Sequence, residues 1–155
     1  MSIRFRSFVL EDYSELLNIV LELYREDPAG EPITEEKIRK TVNELNRQPG
    51  KSKIYIFEEQ NMIIGYCILI FYWSNEFGGN ILNIDEIFVK EKWRNKGICT
   101  RFLNMLYEKF NHSVAAFRLE VTPSNLHAKN YYLKAGFSED KNFHLIKKVI
   151  PEIQP

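Results

Sequence analysis

The sequence predicts a mixed α+β domain in which one twisted sheet carries helices on both faces. Two patterns lead there. Segments with apolar residues at every second position are interleaved with segments at i, i+3, i+4, i+7 spacing. Near the middle, a strand, a helical stretch and another strand follow one another, and such a crossover makes its flanking strands parallel through a right-handed connection. The 155 residues contain no repeat, linker or low-complexity tract, so a single domain over residues 1–155 is expected.

Residues 2–9 set Ile3, Phe5, Ser7 and Val9 against Arg4, Arg6 and Phe8, an opening strand with one buried face. Tyr13, Leu16, Leu17, Val20 and Tyr24 recur at helical spacing, with Glu11 and Asp12 where a helix start favours negative charge. DPAGEP at 27–32 ends that helix; Thr34 can cap a second one carrying Ile38, Val42 and Leu45, which stops near Pro49-Gly50. KIYIFEE and MIIGYCILIFYW read as a hairpin turning at Gln60-Asn61, and ILNIDEIFV at 81–89 as a third neighbouring strand. Ile98, Phe102, Met105, Leu106 and Phe110 restore helical spacing before the strand AAFRLEV at 115–121. A last helix runs from about Asn125 to Ala135 and ends at Gly136, and Phe143, Leu145, Lys147 and Val149 alternate as a closing strand.

The composition excludes several classes. With 21 Lys+Arg against 21 Asp+Glu, no net charge draws the chain to nucleic acid or an anionic membrane. The opening MSIRFRSFVLEDYS lacks the unbroken apolar segment of a secretory signal, and the longest apolar run, residues 62–73, is shorter than the ~20 residues that span a bilayer. Cys67 and Cys99 form no disulfide framework, and His112, His127 and His144 have no spacing for a metal or a triad, so they read as structural. A soluble protein of the reducing cytoplasm, without a metal, is the expectation.

The chemistry concentrates after the strand at 81–89. Arg94, Lys96 and Gly97 fall where a helix begins, offering unpaired N–H groups, a positive dipole end and two cations; Thr100 and Arg101 lie in its first turn. A missing Cβ at Gly97 lets an anion reach the backbone. This is a place for phosphate, although a basic loop capping an ordinary helix would look the same.

Val89 followed by Arg94-Asn95-Lys96-Gly97-Ile98-Cys99, and later Asn125-x-x-Ala128-x-x-Tyr131-Tyr132-x-x-x-Gly136-Phe137, resemble the two signatures of the GCN5-related N-acetyltransferase (GNAT) family, in the family's order. The element order resembles that family's over essentially the whole chain. The resemblance implies a central mixed sheet of about six to seven strands in which two parallel central strands, here 81–89 and 115–121, splay apart around acetyl-CoA. By that resemblance the backbone of Ile87, Phe88 and Val89 would pair with the pantetheine arm. The amides of Arg94, Asn95, Lys96, Gly97, Ile98, Cys99 and Thr100 would hold the pyrophosphate, and Asn125 would touch the pantetheine. Tyr132 matches the family's tyrosine that protonates the leaving thiolate, while Tyr131 reads as packing. Cys99 stands where the family has Gly or Ala. Its thiol, near a helix N-terminus that favours thiolate, could form a mixed disulfide with coenzyme A, or it could simply be a small packing residue.

An alkylammonium with a pKa around 10.4 must lose a proton before it attacks a thioester, which calls for a carboxylate. Asp85 and Glu86 are the candidates. Adjacent strand residues face opposite ways unless a bulge intervenes, so one is expected to face the cleft. Asp85, sharing parity with Ile87 and Val89 and matching a carboxylate of some family members, is preferred over Glu86. Glu76 in YWSNEFGG, with Tyr24, Glu26 and Asp27 at the end of the first helix, offers charge and an aromatic face to a cation. The expected reaction is direct transfer of acetyl from acetyl-CoA to a primary amine of a small cationic molecule in a ternary complex. The alternatives are an acetyltransferase of protein lysine or N-terminal amines, and a non-catalytic acyl-CoA-binding module. Pairing of edge strands would permit a homodimer.

Overall fold

The computed structural model describes residues 2–28 and 30–149. Its contacts divide the chain into two compact units, the first ending at Thr122 and the second beginning at Pro123.

The first unit is built on five strands: β1 (Ile3–Ser7), β2 (Ser52–Glu59), β3 (Met62–Ser74), β4 (Gly79–Val89) and β5 (Ala116–Leu119), ordered β1-β2-β3-β4-β5. The first three pairings are antiparallel, and β4–β5 is parallel. Gln60 and Asn61, both at positive φ (49° and 62°), make the two-residue turn that suits the twist of the β2–β3 hairpin. Helix α3 (Ile98–Phe110) covers one face, where Ile98, Phe102 and Leu106 join Tyr55, Phe57, Cys67, Leu69, Leu82 and Ile84 in a core. Helices α1 (Tyr13–Glu26) and α2 (Glu35–Arg47) cover the other with Leu16, Ile19, Val20, Ile38 and Val42 against Ile54, Ile56, Tyr66, Ile68 and Phe88. As expected, Thr34 caps α2, its Oγ1 accepting from Lys37 N at 3.3 Å.

Position in the first unit is fixed by charge as well as packing. Arg6 grips the buried Asp12 with two N–H groups at 2.7 and 2.8 Å and donates from Nε to Glu58 Oε2 at 2.7 Å. Asp12 also accepts from Val9 N at 2.9 Å, so one guanidinium ties β1 to β2 and to the start of α1. Its hydrogen bonds hold both carboxyls below their ordinary pKa.

The second unit contains α4 (Leu126–Lys134), whose N-cap Asn125 accepts from Ala128 N at 3.1 Å. Gly136, at φ +95°, follows its C-terminus as expected. The closing strand expected at 143–149 is absent: the residues carry no strand pairing, and Phe143, Leu145, Ile146 and Val149 are exposed. Alternation prepares a face, but only a neighbouring strand satisfies the backbone, and none pairs here among the described residues. The sheet therefore has five strands rather than about six to seven.

Candidate active site

β4 and β5 part company early. Their pairing runs from Ile81↔Ala116 to Ile84↔Leu119, while β4 continues to Val89 beside β3. Asp85, Glu86, Ile87, Phe88 and Val89 thus lie past the last β5 partner, along the opening of the expected splay. A flexible arm with hydrogen-bonding groups could add along this edge as a strand does.

At the parting point β4 carries a bulge. Leu69 pairs with Ile84 and Ile68 with Glu86, leaving Asp85 without a partner on β3. Leu82 and Ile84 before it, and Val89 after it, belong to the α3-side core, whereas Phe88 belongs to the α1/α2 side. The exception allowed to strict alternation, a bulge, is thus met at Asp85. Glu86 turns to the α1 side, where its Oε1 accepts from the Tyr24 hydroxyl at 2.6 Å and its Oε2 from the Tyr66 hydroxyl at 2.8 Å. Asp85 is exposed, with only a long 3.4 Å approach from Asn83 Nδ2 among its hydrogen bonds.

Both carboxyls titrate above their ordinary range. For Asp85 the walls of the splay desolvate the charge even though its tip meets solvent, and Glu120 beyond the end of β5 adds repulsion. For Glu86 desolvation outweighs the two phenol hydrogen bonds, and Asp85 repels it further. Burial and Glu86 together push Tyr24 and Tyr66 well up, so both stay protonated as donors.

The end of α1 reaches both edges of the opening. Glu26 pairs with Arg94 Nη2 at 2.6 Å on the β4 side, and Asp27 Oδ2 accepts from Thr122 Oγ1 at 2.8 Å on the β5 side. Arg94 also donates from Nε to Val89 O at 2.7 Å, with its guanidinium 5.0 Å from the Phe88 ring centre. Tyr24, Glu26 and Asp27, expected as acceptor-binding residues, are thus brought to Glu86 and to the rim. Glu76 is not: it lies in the β3–β4 turn, at the opposite end of β4. Tyr66 was hidden in the sequence within an apolar run, and the one signal was that a buried phenol needs a partner. Thr122 and Glu120 carried no signal.

The loop ahead of α3 is shaped for an anion. Asn95 and Gly97 take left-handed conformations (φ 60° and 72°), Gly97 is the N-cap of α3, and no side chain caps the helix there. A Cβ at Gly97 would meet nothing within 4 Å, so open space faces the backbone where the first-turn amides emerge. Lys96 lies 4.7 Å from the Trp93 ring centre beside that space. The backbone from Asn95 to Thr100 suits an anion such as a diphosphate, whereas the Arg94 amide, expected among the donors, already donates to Glu91 O at 3.0 Å. Of the two readings of Cys99, packing is the one the structure bears out: burial pushes its thiol up to about 11 against the opposing pull of Arg94, so the helix N-terminus does not produce a ready thiolate. It packs against the α3-side core instead.

In the second unit Tyr132 stands edge-on to Tyr131 and Phe137, with ring centres 5.1 and 5.7 Å away. Asn125 uses its side-chain oxygen to cap α4. His112, His127 and His144 are all exposed, and no group of three or more His, Cys, Asp or Glu side chains able to hold a metal occurs among the described residues. No helix among them is long and apolar enough to cross a membrane.

A family model described as "Acetyltransferase (GNAT) family" matches residues 15–137. The chain belongs to that family. Among curated proteins it is similar to the thialysine N-epsilon-acetyltransferase of Mus musculus, 29% identical over 96 residues, which cover 61% of this chain and 52% of the mouse protein. The chain thus spans about half the length of the curated relative it matches. Among solved structures, a possible acetyltransferase from Clostridium difficile 630 superposes with a TM-score of 0.83 at 22% identity, covering 97% of this chain and 99% of that one. The aminoglycoside N-acetyltransferase AAC(6')-Iy in complex with CoA gives 0.77 at 14% identity over 95% of each chain. At such identities these likenesses establish the GNAT fold, which the five-stranded mixed sheet with helices on both faces displays.

Proposed function

We propose that this GNAT member is an N-acetyltransferase that moves acetyl from acetyl-CoA directly to the primary amine of a small cationic acceptor. The observation that carries the reading is the coincidence, at one strand opening, of two carboxyls with raised pKa values and an uncapped, glycine-started helix.

In this reading the pantetheine arm lies along Ile87 to Val89, and the amides from Asn95 to Thr100, with the Lys96 charge, receive the diphosphate. Asn125 contacts the arm, a role supported by its motif. The acceptor's ammonium is drawn to Glu86 and Tyr24, whose hydroxyl and carboxyl are already joined. Asp85, free of strong partners and raised by burial, takes the proton from that ammonium; the neutral nitrogen then bonds to the acetyl carbon as the carbon–sulfur bond breaks. Tyr132 gives its proton to the departing thiolate, a role that rests on the match of Tyr131-Tyr132-x-x-x-Gly136-Phe137 to the family signature.

A cavity of about 590 Å³ lies between α1 and the chain at 28–33, lined in part by Leu21, Tyr24, Arg25, Glu31 and Ile33. Tyr24 belongs both to this cavity and to the Glu86 pair, so an acceptor with its amine at Glu86 has room for a small body here. That room supports a small molecule over a protein substrate. Of the three similar proteins named above, one is named for thialysine and another for aminoglycosides. The carboxyl pair favours catalysis over mere acyl-CoA binding. Glu76 is proposed as no more than a remote contribution to the acceptor's approach.

The test is thiol release from acetyl-CoA across a mixed library of diamines, amino acids, aminoglycosides and lysine peptides, with mass detection of a single added acetyl group. Acetylation of one small amine is expected. Tight CoA binding with no thiol release would favour the binding module, and acetylation of peptides alone would favour the protein-modifying alternative.

A further inference from the structure

A second cavity, of about 620 Å³, lies at the other end of the sheet. It is framed by the start of β2, the last residues of β3 and the end of α3, all in the first unit. At a rise of ~3.4 Å per residue, the six steps along β4 from Asn80 to Glu86 put it about 20 Å from the carboxyl pair. Nothing proposed for acetyl transfer uses it.

Its walls combine two kinds of side chain. Lys51, Lys53 and Lys109 contribute three cations, and no carboxylate lines the cavity although acids and bases are equal in number over the chain. Among the described residues none of the three has a carboxylate within ion-pair distance. Lys109 instead donates to the Tyr55 hydroxyl at 3.2 Å, and Lys53 stands 5.2 Å from the Tyr55 ring centre. Aromatic side chains supply the rest: Trp73 is 66% exposed, and Phe71 and Phe110 also line the cavity. Cations without counterions raise the local potential, and exposed rings offer a stacking surface that water serves poorly. At the C-terminus of α3, Tyr107 O accepts from Asn111 N and Phe110 O from Ser113 N and Val114 N, and the Lys109 charge stands against the negative end of the helix.

We propose that this cavity is a second ligand site for a small aromatic anion, a ring bearing phosphate or carboxylate. Its ring stacks on Trp73 while its charge lies among Lys51, Lys53 and Lys109. The volume falls within the roughly 300–1,000 Å³ of small-molecule sites. Both chemical halves are needed: the lysines alone would hold any anion weakly in water, and the rings alone would not discriminate charge.

The two tryptophans are Trp73 and Trp93, so a Trp93→Phe variant leaves Trp73 as the sole indole reporter. That variant, kept with saturating CoA so that the loop ahead of α3 is not the responding site, is titrated with phenyl phosphate. A saturable change in Trp73 emission is expected, with affinity at least about tenfold better than for inorganic phosphate or benzyl alcohol, a difference of ~1.4 kcal/mol. Lys51→Glu with Lys53→Glu should weaken it by a further tenfold or more. Should Trp93→Phe misfold, the wild-type titration with Trp73→Phe as the silent control reads the same difference. No saturation, an equal response to inorganic phosphate, or indifference to the charge reversal would overturn the proposal. None of these outcomes depends on acetyl transfer.

Discussion

The Thr122 hydroxyl donates to Asp27 Oδ2 at 2.8 Å across 95 residues of sequence, fastening the end of α1 to the chain just beyond β5. Tyr24 and Glu26 of the same helix end hold Glu86 and Arg94, so this bond anchors the rim of the proposed acceptor entrance. Thr122→Val keeps the shape and removes the donor. KM for the amine should rise about three- to tenfold with kcat little changed, the size of one hydrogen bond to a charged group on a partly exposed rim. Equal KM values in steady-state kinetics would show that the fastening does not matter to the acceptor.

Asp85→Asn should lower kcat/KM by about 10²-fold or more while leaving the CoA Kd within about twofold. The pH profile gives an independent check. In the proposed role Asp85 works deprotonated, and its pKa is raised, so wild-type activity should fall with decreasing pH through a midpoint above the ordinary ~3.9, and the variant should lose that limb. Stability moves oppositely. A carboxyl whose folded pKa exceeds its unfolded one binds its proton more readily when folded, so stability declines as pH climbs between those two values and the deficit persists above them. At pH 8 the variant should therefore melt about 1–2 °C higher, a modest gain because the tip of Asp85 meets solvent. A lower melting temperature would contradict the desolvation account.

Gly97→Asn separates folding from binding. Asparagine tolerates a φ of 72°, and its Cβ would meet nothing within 4 Å, so the melting temperature should change by less than about 3 °C. The same side chain would stand where the diphosphate approaches, so calorimetry should show CoA affinity reduced at least about tenfold. Undiminished affinity would place the diphosphate elsewhere.

Tyr132→Phe tests the acid. The ring contacts with Tyr131 and Phe137 survive the loss of the hydroxyl, so α4 should be unaltered. Turnover at neutral pH should drop more than about tenfold with CoA affinity preserved. Wild-type turnover would remove Tyr132 from the proton path.

Much of this was legible in the residue pattern because each element announces itself locally. Thr34, the Gln60-Asn61 turn and the α3 stripe of Ile98, Phe102 and Leu106 lie where their spacing puts them. What failed or stayed open depends on groups distant in sequence. The alternation at 143–149 cannot say whether a neighbouring strand pairs with it. The pKa of Cys99 is decided by how much protein surrounds it, which no motif encodes. The dual grip of Tyr24 and Tyr66 on Glu86 spans 62 and 20 residues. The bulge at Asp85 was admitted as a condition but could not be chosen, since a strand and a bulged strand share one sequence.

The bulge makes Asp85 a removable part. Excising this single residue would leave Ile84 followed by Glu86, Ile87 and Phe88, with each remaining side chain keeping its face and its β3 partner. The sheet would become more regular and lose little cohesion. β4 thus carries the proposed base as an interpolation in an otherwise complete ladder, and a three-base deletion would remove that carboxyl while leaving the strand's pairing whole.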